Sequence, residues 1–188
     1  MEMTLQEQKE RKSQSYKLLL WFAMVSMVMM FAGLTSAYVV STSRADWLKD
    51  FQMPSAFFMS TAVIILSSIT FLLARKAIKQ NNLPLTTKWL LATLALSIGF
   101  VVLQFVGFNQ IIAMGYFFTG SESTITTSFL YIVAILHMAH LFGGLIALLI
   151  IIYNHFKQKY NAAQTLGIEL GEMFWHFLGI LWILLFLF

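Results

Sequence analysis

The run GIELGEMFWHFLGILWILLFLF, residues 167–188, places two acids and a histidine inside an otherwise apolar segment. Its charge-free part, from Met173 to Phe188, would rise only about 24 Å as a helix at about 1.5 Å per residue, whereas the hydrocarbon core of a bilayer is about 30 Å thick. A membrane-spanning helix must therefore begin near Gly167, which draws Glu169 and Glu172 into or against the membrane. Ionisable groups are costly there, so they mark a functional or structural site.

The composition indicates an integral membrane protein. Of 188 residues, 59% are hydrophobic and 11% are charged, with a mean hydropathy of +0.78, whereas about a quarter of the residues of a soluble domain are charged. The chain has no cysteine, which excludes disulfides, iron–sulfur clusters, covalently bound haem c and thiolate sites for zinc or copper. The net charge of +4 is spread over short loops, which favours an anionic lipid surface over nucleic acid as the partner.

Five apolar stretches predict an all-α bundle of five transmembrane helices, forming one membrane domain over residues 1–188. The helices are expected at about 18–40, 56–74, 89–110, 127–153 and 167–188, each close to the 20 residues needed to span the bilayer. The first stretch exceeds the 7–15 apolar residues of a secretion signal, so it is expected to be a retained helix. Pro54 is expected at the start of the second helix, and Pro84 in the turn before the third.

The distribution of charge over the loops predicts the orientation. With five crossings, the N-terminal tail and the second and fourth loops share one side, and basic residues concentrate there. They are Lys9, Arg11, Lys12, Lys17, Arg75, Lys76, Lys79, Lys88, Lys157 and Lys159. The other side holds Arg44 and Lys49 beside Asp46, Asp50 and Glu122. The positive-inside rule then places the N-terminus inside and the C-terminus outside.

Polar residues within the helices are predicted to share one buried layer. His137 and His140 lie three residues apart, on one face of the fourth helix. Counted from the inner helix ends, these histidines, Gln104 and His176 lie about 13–24 Å deep at about 1.5 Å per residue. Glu172 is one turn below His176.

The polar layer has two interpretations. Two histidines with carboxylates could hold iron or zinc, or the layer could be a hydrogen-bonded cluster that joins the helices. We favour the cluster, because histidines at i and i+3 cannot bind opposite faces of one haem, and the chain has no Glu-x-x-His pair of the kind that builds dimetal sites. The glycine pairs Gly167/Gly171 and Gly143/Gly144 are expected to permit close helix packing.

Four segments together resemble subunit III of the haem–copper oxidases. The pattern G-x-E-x-G-x-x-x-W-H-F-x-x-x-x-W at residues 167–182 is similar to the family's terminal signature G-x-E-x-G-x-x-Y-W-H-F-V-D-x-x-W. His137-x-x-His140 with the following glycines resembles the family's G-x-H-G-x-H-V-x-x-G. Leu103-Gln104 resembles its L-Q-x-x-E-Y, and residues 26–38 resemble its S-E-x-x-F-F-x-G-F-x-x-A-F. The likeness covers all five helices in order.

The resemblance implies an accessory subunit of a respiratory terminal oxidase, a proton-translocating cytochrome c oxidase, in a bacterial cytoplasmic membrane. Such a chain has no catalytic residue and no metal of its own, while haem and copper lie in partner subunits. It packs on subunit I, near subunit II, binds phospholipid, supports proton uptake during oxygen reduction and protects the catalytic subunit from inactivation during turnover. The longer family members have two further helices before the five shared ones.

These considerations assign two sets of site residues. The expected polar column that fixes helices and docks the chain comprises Gln104, His137, His140, Glu169, Glu172, Trp175, His176 and Trp182. The residues expected to hold anionic lipid head groups are Arg75, Lys76, Lys88 and Lys157. Three departures from the family pattern remove acids: Met27, Gly107 and Gly179 stand where its members commonly carry glutamate, glutamate and aspartate.

Other functions stay open on the sequence alone. The subunit could belong to a quinol oxidase or to a complex of the nitric oxide reductase type, because related five-helix subunits occur there. From another class, the chain could be a membrane protein with a histidine-ligated haem or metal. A proton-linked transporter is disfavoured, because inverted repeats and broken helices are not evident.

Overall fold

The computed structural model describes residues 5–44, 47, 53–120, 123–161 and 164–188. Within them the chain forms five helices: α1 (Leu5–Ser41), α2 (Ser55–Lys79), α3 (Leu83–Ala113), α4 (Ile125–Phe156) and α5 (Leu166–Leu187). All five are long and apolar enough to cross a membrane. The predicted all-helical, five-span architecture is therefore confirmed, and the chain is a multi-pass membrane protein.

The helices extend beyond their apolar stretches, most clearly at the N-termini of α1 and α3. Hydropathy marks only the part that can lie in hydrocarbon, whereas polar turns outside it continue the same backbone hydrogen bonds. Pro54 precedes α2 as expected. Pro84 was expected in a turn, but it lies in the first turn of α3, where its missing N–H has no helical partner to lose. Asn82 caps this helix by accepting a hydrogen bond from the Leu85 amide at 3.2 Å.

The second helix lies at the centre of the packing. It contacts α3 along most of its length and also packs on α5, while α4 packs on α3 and α5. The first helix packs against α4 and α5, and its buried side chains are Met24 and Phe31. Most of the apolar surface of α1 is therefore exposed.

The two ends of the bundle differ in chemistry. One end, here called the basic end, carries Lys17, Arg75, Lys79, Lys88 and Lys157. The opposite end contains an aromatic cleft of about 580 Å³, whose walls include Tyr38, Trp47, Phe57, Phe129 and Trp182. The predicted orientation, with the basic end inside, stays a prediction, and four of the residues on which it depends, Asp46, Lys49, Asp50 and Glu122, lie outside the described residues.

Candidate functional site

At the basic end, three cations surround one carboxylate at the start of α5. The Glu169 oxygens lie 3.5 Å from Lys17 Nζ, 3.6 Å from Arg75 Nη2 and 3.6 Å from Lys79 Nζ. Thr165 also donates a hydrogen bond to Oε1 at 3.0 Å, and the helix N-terminus favours negative charge at this position. We call these residues, together with Glu172, the carboxylate cluster. The cluster joins α1 and α2 to α5.

The second acid of the cluster is almost completely buried. Glu172 is 2% exposed, and its Oε2 lies 3.0 Å from Arg75 Nη1. Its Oε1 lies 3.6 Å from Nε2 of His176, one turn further along α5. A buried charge is tolerated only when it is paired, so Arg75 neutralises Glu172 while also contacting Glu169.

The four residues expected to bind lipid head groups differ in their surroundings. The Arg75 guanidinium is engaged by both acids of the cluster, and an unpaired buried carboxylate would be costly. Lys76, Lys88 and Lys157 are exposed at the basic end, and Lys157 Nζ lies 4.7 Å from the centre of the Tyr153 ring. These three lysines stay available for an anionic ligand.

Deeper in the bundle, α2 presents a row of hydroxyl groups to its neighbours. We call Ser60, Thr61, Ser67 and Thr70 the hydroxyl seam. Four hydrogen bonds of 2.8–3.0 Å join the seam to other helices. Gln104 Nε2 donates to Ser60, Trp182 Nε1 to Thr61 and Trp175 Nε1 to Ser67, and the hydroxyl groups of Thr70 and Thr93 bond each other. Lipid tails are as apolar as leucine, so interhelical hydrogen bonds and close packing hold such helices together. The seam thereby fixes α3 and α5 on α2.

A single seam bond is expected to contribute little by itself. Ser67→Ala should lower the free energy of unfolding by about 0.6 kcal/mol, the average for interhelical hydrogen bonds in membranes. A double-mutant cycle with Trp175→Phe, measured by steric trapping in bicelles, would isolate the bond between them. A coupling energy of zero would contradict the seam's role in joining α2 to α5.

The two histidines of α4 make separate contacts. His137 is fully buried, and its ring centre lies 5.2 Å from that of Trp182. Neither of its ring nitrogens has a hydrogen-bond partner among the described residues. The Nδ1 atom of His140 lies 2.7 Å from the carbonyl oxygen of Leu136 in its own helix. In the described part of the chain, no three His, Asp or Glu side chains are grouped closely enough to hold a metal ion.

The expected polar column is thus divided in the structure. Glu169, Glu172 and His176 lie in or beside the carboxylate cluster. Gln104, Trp175 and Trp182 bond to the hydroxyl seam, while His137 packs against Trp182 and His140 bonds to its own helix. Sequence spacing measures height along a helix but not which neighbour a side chain meets. Residues of similar depth consequently point to different helices.

Sequence reasoning missed one further polar contact. His155, in the last turn of α4, is buried, and its Nε2 lies 2.8 Å from Thr87 Oγ1 in the first turns of α3. A histidine in the last turn of an otherwise apolar helix could have pointed to it. This contact fixes the basic ends of α3 and α4.

Two of the expected packing glycines lie at close helix contacts. A Cβ on Gly144 would be 2.8 Å from Leu178 Cδ1 and 3.4 Å from the Trp175 ring, and a Cβ on Gly171 would overlap the end of Ile151. Gly143 has open space at its Cβ position. Close approach of α4 and α5 therefore depends on Gly144 and Gly171.

Comparison with known proteins identifies relatives over nearly the whole chain. A family model described as cytochrome c oxidase subunit III matches residues 2–188. A cytochrome c oxidase subunit 3 of Thermostichus vulcanus is 26% identical, over 87% of this chain and 80% of its own length. A cytochrome bo(3) ubiquinol oxidase subunit 3 of Buchnera aphidicola is 29% identical, over 90% and 89%. One from Pseudomonas aeruginosa is 28% identical, over 88% and 79%.

Proposed function

Because the chain belongs to the cytochrome c oxidase subunit III family, we propose that it packs beside the catalytic subunit I of its oxidase, near subunit II, and keeps that subunit active during turnover. It is an accessory subunit III of a haem–copper oxidase. The family carries no redox centre of its own, so electron transfer and oxygen reduction belong to partner subunits, which hold the haem and copper. We place the complex in a bacterial cytoplasmic membrane.

The observation that best supports this role is the way the polar side chains are used. Two sets of them join helices: the carboxylate cluster connects α1, α2 and α5, and the hydroxyl seam connects α2 with α3 and α5. Such internal fixing favours a rigid supporting body over a chain that performs chemistry. The exposed apolar faces of α1 and α2 then provide surface for lipid and for other subunits.

Anionic phospholipid is the ligand proposed for the basic end. Lys76, Lys88 and Lys157 are exposed at the level where head groups of the inner leaflet would lie. Each basic residue near such a surface contributes about 1 kcal/mol to its attraction. Arg75 is not assigned to this site, because its guanidinium pairs with the carboxylates.

His176 provides a test of the supporting role. His176→Leu removes the imidazole beside Glu172 and should loosen the association with subunit I, so that activity is lost after fewer turnovers. Haem content per complex should stay unchanged. Oxygen uptake followed to inactivation, with the optical spectrum of the same preparation, measures both, and a proportional loss of haem from a still assembled complex would contradict the proposal.

The direct test of the proposed function is purification of the tagged chain in a mild detergent. We expect haem–copper oxidase chains to copurify, with a haem spectrum that belongs to them and oxygen uptake supported by an electron donor. A lone chain carrying its own haem would overturn the proposal and support the alternative of a histidine-ligated haem protein.

A second candidate function differs in the electron donor of the complex. Relatives include subunits of both cytochrome c oxidases and bo(3) ubiquinol oxidases, at comparable identity. Comparison of oxygen uptake with reduced cytochrome c and with a quinol decides between them. We propose the cytochrome c oxidase, because the matching family model carries that description.

A further inference from the structure

The aromatic cleft opposite the basic end has the size and the lining of a ligand site. Its volume of about 580 Å³ falls within the range of about 300–1,000 Å³ that is usual for small-molecule pockets. The rings of Phe57, Phe129 and Trp182 contribute to its walls, and none of the described residues that line it has a charged side chain. The lining therefore favours an uncharged molecule, and the aromatic walls favour one with a flat ring.

Four helices enclose the cleft, but one of its sides is not closed by helix packing. Thr35 of α1, Phe57 of α2, Ala134 of α4 and Trp182 of α5 contribute to the walls. Among the described residues, α1 packs on α4 and α5 but not on α2. The gap between α1 and α2 is thus the side from which a molecule dissolved in the bilayer can enter.

An unpaired imidazole lies one helical turn beneath the cleft. His137 follows the wall residue Ala134 on α4 with a rise of about 4.5 Å, and its ring centre lies 5.2 Å from that of Trp182, which belongs to the wall. On α1, Phe31 lies one turn below Thr35, and its ring centre is 6.5 Å from that of His137. His137 is fully buried, and neither of its ring nitrogens has a hydrogen-bond partner among the described residues.

This imidazole restricts which molecule completes the cleft. In the neutral form one ring nitrogen is a donor and the other an acceptor, whichever of the two carries the proton, and polar groups left unsatisfied in hydrocarbon are costly. The hydroxyl group of Thr35 is already used, because it donates to the Phe31 carbonyl oxygen at 3.0 Å. A lipid acyl chain enters by its apolar end and offers no hydrogen bond at this depth, whereas a ring that carries a carbonyl oxygen accepts one.

We propose that the cleft binds a quinone of the membrane with its ring at the deep end. The N–H group of His137 donates to a ring carbonyl oxygen, the ring packs among the aromatic walls, and the apolar tail leaves between α1 and α2. The family carries no redox centre of its own, so this site holds the quinone without transferring electrons to it. The inference goes beyond the supporting role and is the same for either electron donor of the complex.

Photolabelling of the full chain in lipid nanodiscs tests the proposal. The probe is a benzoquinone with a short isoprenoid tail and an azido group on its ring. We expect labelling to saturate, to fall when quinone without the azido group competes, and to be located by mass spectrometry at residues 129–134 and 182–188 of the walls. Labelling that rises in proportion to the probe without saturating would show partition into lipid only and would overturn the proposal. Because the chain is labelled alone, the result does not depend on which oxidase chains copurify.

Two variants test the position of the ring. Ala134→Leu extends a wall side chain into the cleft and should raise the probe concentration for half-maximal labelling by about tenfold. Ala139→Leu, the same change at an exposed position of α4, is the matched control and should leave that concentration unchanged. His137→Phe keeps a ring but removes the N–H donor, and should raise the concentration by about fivefold, the effect of one net hydrogen bond.

Either variant can contradict the proposal. If Ala134→Leu is labelled like its control, the cleft is not the site. If His137→Phe is labelled like the unaltered chain, the imidazole does not bind the ring carbonyl. Helix content measured by circular dichroism shows that each variant is folded before it is compared.

Discussion

Replacing Arg75 with methionine is expected to lower the free energy of unfolding of the chain by about 3 kcal/mol, the lower end of the range for breaking a buried ion pair. The buried Glu172 carboxyl group would lose the cation that lies 3.0 Å from it. The lower end applies because the Arg75 side chain is 36% exposed, so water already screens part of the interaction. Unfolding of the isolated chain by steric trapping in bicelles measures the difference.

Two further variants separate this explanation from a general loss of positive charge. Lys76→Met removes an exposed neighbouring cation and should change stability by less than about 0.5 kcal/mol. Combining Arg75→Met with Glu172→Leu removes both members of the pair, so it should recover much of the loss from the single change. If the double variant were less stable than Arg75→Met alone, the pairing of Arg75 with Glu172 would not explain the effect.

Replacing Trp182 with alanine is expected to lower the free energy of unfolding by about 2–3 kcal/mol. Its ring packs on His137 at 5.2 Å and on Phe100 at 5.4 Å between ring centres, and its Nε1 bonds Thr61. A comparable cavity in a soluble core costs about 3–5 kcal/mol. The smaller value is expected here, because lipid tails instead of water solvate the separated helices.

Trp21 supplies the control for this change. It is 55% exposed on α1, so Trp21→Ala should cost less than about 0.5 kcal/mol. Trp182→Phe, which keeps a ring but loses the bond to Thr61, should lie between the two. Equal effects of Trp182→Ala and Trp21→Ala in a thermal transition monitored by circular dichroism would show that Trp182 is not central to the packing of α4 and α5.

The number and type of helices could be predicted because long apolar runs mark the segments that can cross a membrane as helices. The bounds were less accurate at the basic end, where the sequence 5–17 is polar but continues α1. Hydropathy does not mark a helical turn that lies in water, because such a turn keeps the same backbone hydrogen bonds while its side chains are polar. Asn82 and Pro84 are the sequence features that indicate the start of α3.

The side-chain contacts could be predicted only in part. The depth of Glu169 and Glu172 followed from the length of the last apolar run, but their pairing with Arg75 and Lys17 depends on how α1 and α2 rotate about their axes. The hydroxyl seam was also missed. Serine and threonine in a helix commonly bond their own backbone, as Ser67 does with the Ile64 carbonyl at 2.8 Å. Which of them also meet a tryptophan is decided by tertiary packing.

The central claim is that this chain supports redox centres held by other subunits. The most direct measurement compares two preparations of the oxidase, one that contains this chain and one purified from cells that lack it. In each, haem and copper are counted per catalytic subunit, together with the number of turnovers before inactivation. We expect equal haem and copper in both preparations, and fewer turnovers without the chain. Loss of haem or copper in proportion to the missing chain would contradict the account, because it would place a metal centre within these five helices.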